Sequence, residues 1–488
     1  MKKMSEEPKI SEEDEGNITS PEKAEDEYIR NFKEEPGDDD GENRHPTIRN
    51  SMLYTALLVV KGMIGAGILN LPLIFKTFGI LGGIILSIVL NIIAVVVAYF
   101  LGRDKELSQR YSYAVYSKIV MGPAGSVIMK MSLVVMCSTL AVVQLIVFGD
   151  VLKGLSLLFC DINVKILIVA IALVILPFMF QKDISGITQY AYFGIIGLGV
   201  FYATTVILFI YKYYQNKIIF NKSMLYPNGS FKELFQCVGG YYNAYAFHMA
   251  YFNYYLPLKP RNTKTMMKSV IIGTIIGSII YASYGTIFFL MYGNQINDSA
   301  LKYLQKDLAE AHKNNEKGII VLFIICFLSF IVNASISTMT HFYIFKSHFI
   351  GVIKFFLSRL AEKEKEKNAK KDIPLVDIKE DRKFSDDVQS ITIKENENEE
   401  LLSDRKQFYI TFCCYLYALI MAVSFDRIIV LDSFNGSTVA NYINIIAPSI
   451  FYLYFARKQK NYGEKFISLI LIIFGTALIM LFFIFSFY

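Results

Sequence analysis

The sequence predicts an all-α polytopic membrane protein, and three observations carry that reading. Of its 488 residues 54% are hydrophobic, with phenylalanine and tyrosine abundant and tryptophan absent; a soluble chain of this length would not hide so much apolar sequence in one core. Apolar runs of about 20 residues, enough to cross a hydrocarbon layer roughly 30 Å thick, recur along most of the chain. The polar stretches between them hold no catalytic constellation, metal-ligand spacing or phosphate loop. The sequence therefore predicts no enzyme, no cofactor and no resident metal. Nucleic acid is excluded as a partner, because the basic residues scatter along loops that face acidic neighbours.

Windows of about 19 residues place eleven spans, at 52–76, 79–101, 124–149, 162–180, 187–211, 234–257, 268–292, 318–345, 407–426, 436–456 and 465–487. Residues 1–50 are acidic and poor in large apolar side chains, so they read as a disordered cytoplasmic tail. No basic-then-apolar start with a cleavage site precedes them, so no secretory signal peptide is expected. The membrane domain then falls in two blocks, 51–345 (spans one to eight) and 407–488 (spans nine to eleven). Between them, 346–406 is highly charged and reads as a disordered cytoplasmic loop. Arg103, Lys105, Arg110, Lys259, Arg261, Lys264 and Lys458 share one side when the N-terminus is cytoplasmic, as the positive-inside rule asks.

Asn221, Asn228 and Asn297 begin glycosylation triplets on the opposite side, whereas Asn435 sits too close to the membrane. Cys160 and Cys237 lie near span ends on that side, where a disulfide and two free thiols are both open. "ENEELL", Glu397 to Leu402, matches the acidic dileucine pattern that trafficking adaptors read. It also fits chance in an acidic, leucine-containing tract.

Span one contains "KGMIGAGILNLP", Lys61 to Pro72. Glycine costs about 1 kcal/mol and proline about 3 against alanine inside a helix, and lipid offers no water to a freed peptide group. Such a stretch is tolerated where it lines a cavity, as in transporters whose half-helices meet at an unwound midpoint. Close packing through small residues explains Gly62, Ala66 or Gly67 singly, but not Gly-Ala-Gly followed by Pro72. Lys61, near the span end, is expected to snorkel to the interface. Span six repeats the theme in "GGYYNAYAFHMAYFNYYLP", Gly239 to Pro257, with polar Asn243, His248 and Asn253 in an otherwise apolar run.

These residues resemble the amino acid/auxin permease family, especially its proton-coupled and sodium-coupled neutral amino-acid transporter branches. Lys61, Gly62, Ile64, Gly65, Gly67, Leu69, Leu71, Pro72, Lys76, Gly79 and Gly83 fit the first-span pattern in register. "SFNGSTVANYINIIAPSIFYL" is similar to the tenth span, with Gly436, Ser437 and Pro448 at the expected separation. Tyr245-Ala246-Phe247 resembles the sixth-span Phe-Ala-Phe, although Leu256-Pro257 follows about two residues later than in the family. The resemblance implies a LeuT-like 5+5 inverted repeat with broken spans one and six and an eleventh span appended. It implies secondary active transport of an amino acid by alternating access, symported with H+ or Na+.

Asp150, Glu233, Asp426 and Glu464 all fall at span ends, and no carboxylate is expected near a midplane. The zwitterion is therefore expected on backbone: N–H groups of Gly65, Ala66, Gly67 and Ile68 for the carboxylate, and carbonyls around Asn243, Ala244, Tyr245 and Phe247 for the ammonium. His248 is a candidate for substrate contact and for proton coupling, against a plain hydrogen-bonded histidine. The branch histidine three residues before the lysine is Leu58 here. Sodium would use oxygens where spans one and eight meet, at Ile64, Ser337 and Thr338; uncoupled exchange is also open. A sensor signalling through its cytoplasmic segments and a carrier of another small solute are the alternatives, and an organic cation is disfavoured for want of a midplane carboxylate. A lipid-embedded monomer is expected in the plasma membrane, with an endosomal, lysosomal or vacuolar membrane as the second place.

Overall fold

The computed structural model describes residues 50–180, 191–371, 403–425 and 428–487. The acidic tail and the Glu397–Leu402 motif lie outside the described residues. Among the described residues seven helices are long and apolar enough to cross a membrane alone. They supply spans two, three, five, seven, eight, nine and eleven. Span four is a single shorter helix, Val164–Met179, and spans one, six and ten are assembled from shorter pieces.

In chain order the helices are α1 (Met52–Met63), α2 (Leu71–Ser108), α3 (Tyr113–Ser156), α4 (Val164–Met179) and α5 (Ala191–Tyr214), which make spans one to five. Then come α6 (Phe231–Ala244) and α7 (Tyr251–Tyr255) for span six, α8 (Thr263–Tyr292) for span seven, and α9 (Ala300–Lys313) across the surface. Spans eight and nine are α10 (Lys317–Lys371) and α11 (Asp404–Ser424). Span ten is α12 (Ile428–Ser437) with α13 (Ala447–Phe455), and span eleven is α14 (Tyr462–Phe487).

Pro72 marks a restart rather than a simple break. It lies in the first turn of α2, where the missing N–H would have had no partner in any case; Pro448 follows a π-helical turn, Tyr442–Ile446, that runs into α13 through helical Ile446 and Ala447. Pro123 follows Gly122, whose φ of 71° separates a leading helical segment, 113–121, from the body of α3. Gly79 (φ 70°) likewise divides α2 into the end of span one and the whole of span two. A Cβ at Gly79 would meet the Tyr226 carbonyl oxygen at 2.4 Å, because the loop between spans five and six is stitched on there. The N–H groups of Asn228 and Gly229 both donate to Thr77 O at 3.1 Å.

Helices related by the internal repeat meet one another. Span seven packs on span two, span eight on span three, and the first half of span six on the break in span one. This pairing is that of a 5+5 inverted repeat. The α10 helix differs from the expected boundary, running through the first part of the segment read as a loop, to Lys371. Its "AEKEKEKNAKK" end is rich in strong helix formers. Cys160 and Cys237 are both free thiols, the first exposed and the second buried.

Replacing Gly79 with alanine forces a Cβ against backbone at positive φ, a strain of about 1–3 kcal/mol. Gly199 has open space at its Cβ position. Thermal unfolding in detergent should show a lowered midpoint for Gly79→Ala and an unchanged or raised one for Gly199→Ala.

Candidate functional site

The helical ladder of α1 stops at Ile64, whose N–H reaches Val60 O at 2.8 Å. Gly65 N–H turns back to Met63 O (3.0 Å), and a 3-10 turn, Ala66–Asn70, leads into α2. The first N–H groups of any helix lack partners within it, so this restart aims donors and the positive end of a dipole at the gap. Gly65 and Gly67 are half-buried while Ile64, Ala66 and Ile68 are buried; the accessible backbone is at the two glycines.

Span six breaks alongside. The α6 helix starts on a capping box between Ser230 and Glu233 and ends at Ala244. Beyond it the bonds shorten in span: Tyr245 N–H to Tyr242 O (2.9 Å), Ala246 N–H to Asn243 O (3.1 Å) and Phe247 N–H to Tyr245 O (3.0 Å). A 3-10 turn, His248–Ala250, precedes α7. The two breaks touch, since a Cβ on Gly67 would lie 3.2 Å from Ala244 Cβ. Tyr281 of span seven joins them: its hydroxyl lies 2.7 Å from Met63 O and 2.8 Å from Ala244 O. One proton thus serves the terminal carbonyls of both half-helices in alternation. Gln144 of span three faces the same gap, with Nε2 3.8 Å from the Cβ position of Gly65 and Oε1 buried without a partner.

A third interruption stands beside these two, in span ten. Thr438 leaves the helical region (φ −112°, ψ −86°), and a π-helical turn follows at Tyr442–Ile446, a feature that concentrates at functional sites. The backbones of spans six and ten touch where Gly436 meets Gly239, whose carbonyl oxygen would lie 1.9 Å from any Cβ at Gly436. One turn away along each helix, Asn243 Nδ2 donates to Asp432 Oδ1 at 3.1 Å. Asn70, ending the span-one 3-10 turn, donates through Nδ2 to Asp432 Oδ2 at 2.6 Å. Asp432 is 1% exposed. A single carboxylate therefore ties spans one, six and ten together beside both breaks.

Asp432, buried beside the breaks of spans one and six, overturns the expectation that no carboxylate lies near a midplane. Span ten was expected to begin at 436, because Asp432, Ser433 and Asn435 lower the local hydropathy. The α12 helix instead begins by Ile428 and places Asp432, Ser433 and Asn435 in the interior. The signal available in the sequence was "IIVLDSFNGS", a lone acid after an apolar run and four positions ahead of the glycine.

Several expected site residues have other employment. Tyr245 is buried, with its hydroxyl 2.7 Å from Ser87 Oγ and 2.9 Å from Ser278 Oγ, fixing the break to spans two and seven. His248 donates through Nε2 to Ala94 O of span two at 2.8 Å and stacks on Phe247. Thr338 Oγ1 donates back to Ala334 O within its own helix at 2.8 Å. Lys61 does not snorkel. Its side chain passes Gly194 of span five, where a Cβ would lie 2.7 Å from Lys61 Cε, and Nζ donates to Ser337 Oγ of span eight at 2.6 Å.

The family described as "Transmembrane amino acid transporter protein" matches residues 49–488. The chain belongs to that family. Amino acid transporter AVT6E of Arabidopsis thaliana is 23% identical over 276 residues, 53% of this chain and 56% of that protein. Sodium-coupled neutral amino acid transporter 7 of Danio rerio is 24% identical over 276 residues, 54% of this chain and 58% of that protein. The chain thus spans about half the length of the curated relatives it matches. Among solved structures, Mhp1, a nucleobase-cation-symport-1 family transporter in a closed conformation with bromovinylhydantoin bound, superposes with a TM-score of 0.53 at 12% identity, covering 87% of this chain and 82% of that one. That likeness establishes the fold, which is LeuT-like. Family and relatives are transporters, not enzymes.

Within this family member, Tyr281→Phe removes the proton shared by two half-helix ends. Loss of a buried hydrogen bond costs about 1 kcal/mol or more, so the thermal midpoint should fall, whereas Thr286→Val, whose hydroxyl donates back to Ala282 O within the same helix, should leave it nearly unchanged.

Proposed function

We propose that this integral membrane protein carries an amino acid by alternating access, with the zwitterion gripped where spans one and six are interrupted. The observation that carries the reading is the contact of the two breaks at Gly67 and Ala244. Donors at Gly65 to Ile68 suit a carboxylate, and the carbonyl-rich end of α6 through Phe247 suits an ammonium. Asp432, one turn from Gly67 through Asn70, adds a negative charge on the ammonium's side of the gap. The aromatic side chains of span six shape and gate the pocket, and His248 acts as a strut between spans two and six. The substrate moves with H+ or Na+. The N-terminus faces the cytoplasm, and the carrier works as a monomer in the plasma membrane.

Asp432 also favours a second reading, which the sequence had set aside. A buried carboxylate is what a cationic group within the membrane needs, so an amino acid with a basic side chain, or another small organic cation, becomes a substrate to test. Reconstitution into liposomes with labelled neutral, acidic and basic amino acids and a polyamine decides between them. Saturable uptake of any amino acid supports carriage, uptake of the polyamine alone transfers the site to cations, and uptake of none refutes both.

Within that assay Gly65→Ala is the sharpest probe of the grip. The added Cβ meets nothing closer than 3.8 Å, so the protein should fold with an unchanged yield. It should nonetheless lose about tenfold or more in uptake, the equivalent of about one lost hydrogen bond to substrate. Asp432→Asn keeps the shape and removes the charge. It should lower uptake by a similar factor or more, while Asp150→Asn, outside the gap, should not.

A further inference from the structure

The cation position where spans one and eight meet already has an occupant. Half-helices in such carriers present carbonyl-bearing C-terminal ends to a coupling cation, and α1 ends there at Met63 with Ile64 following. Lys61 lies in that last turn, where positive charge is favoured by the negative end of the helix dipole. Its ammonium reaches across to Ser337 Oγ at 2.6 Å, the hydroxyl a sodium ion would need. The second hydroxyl expected there, Thr338 Oγ1, has turned to Ala334 O. Glycine at 194 leaves the lysine stem its path past span five. Among the described residues Lys61 makes no ion pair with a carboxylate; the neutral Ser337 hydroxyl oxygen accepts from its ammonium.

We propose that the Lys61 ammonium takes the place of a sodium ion between spans one, five and eight, so that the carrier moves its substrate without sodium. A second positive charge a few ångströms from the first would be repelled, with little water to screen it. The lysine is covalently attached, and so it completes the junction of the half-helix with span eight in every cycle without being loaded. The inference rests on the transport reading above and assigns one of the two coupling ions left open there.

Two measurements on the full-length protein test it separately. In proteoliposomes at mildly acidic pH, initial uptake with external sodium should differ by less than about twofold from uptake with N-methyl-D-glucamine; a loss of about fivefold or more on removing sodium, the scale of a real coupling, overturns the proposal. If no amino acid is taken up, the transport reading fails, and the second measurement still judges the site. Thermal unfolding in detergent, with sodium chloride titrated against N-methyl-D-glucamine chloride at constant ionic strength, should give a flat midpoint for the native protein. Lys61→Met, which keeps the stem and removes the charge, should gain a sodium-dependent rise in midpoint. A rise already present in the native protein, or none in the folded variant, overturns the proposal. Should the variant fail to fold, the native titration decides alone.

Discussion

A peptide group in the middle of a bilayer must find its hydrogen bond within the protein, because the surrounding lipid offers none. Everything distinctive about this chain follows from that constraint. Span one gives up its ladder at Gly65, span six at Tyr245 and span ten at Thr438, and all three faults lie against one another. Each is roofed by protein rather than lipid. Tyr281 takes the carbonyl ends of two half-helices, Tyr245 is anchored on Ser87 and Ser278, and the Asn441 amide of span ten donates to Gly475 O at 2.7 Å. Gly65 N–H turns back to Met63 O, and Gly67 brings half-buried backbone to the centre between the breaks.

Glycine sets the register of the site by allowing backbone to touch backbone. Because Gly239 and Gly436 meet directly, α6 and α12 cross closely enough for Asn243 and Asp432 to bond one turn away. A carboxylate removed from water costs several kcal/mol unless something compensates it. Here two amides, one from each broken span of the repeat, provide partial compensation. The bonds of Asp432 to Asn70 and Asn243 thus join three helices at one buried point.

The fold was legible because its determinants are local. Span count came from apolar length, and the breaks in spans one and six from glycine and proline at spacings no membrane helix tolerates. Pro72 reads as a breaker in the sequence, whereas it starts the helix that follows. The site was less legible because hydropathy averages over a window. Asp432 sat among polar neighbours that together resembled a loop, although each of them is buried by span six. Lys61 was misplaced for a related reason: distance from the span end suggested an interfacial lysine, and nothing local in the sequence shows that Gly194 clears a path inward to Ser337. Tyr281 could not have been singled out among 32 tyrosines, since its role depends on two carbonyls brought together by tertiary structure.

The most direct test is a side-chain-resolution structure of the protein with a transported amino acid bound. The account predicts its carboxylate within hydrogen-bond distance of the N–H groups between Gly65 and Ile68, and its ammonium facing the end of α6 and Asp432. Density for the ligand elsewhere, or continuous helices through Gly65 and Tyr245, would contradict it.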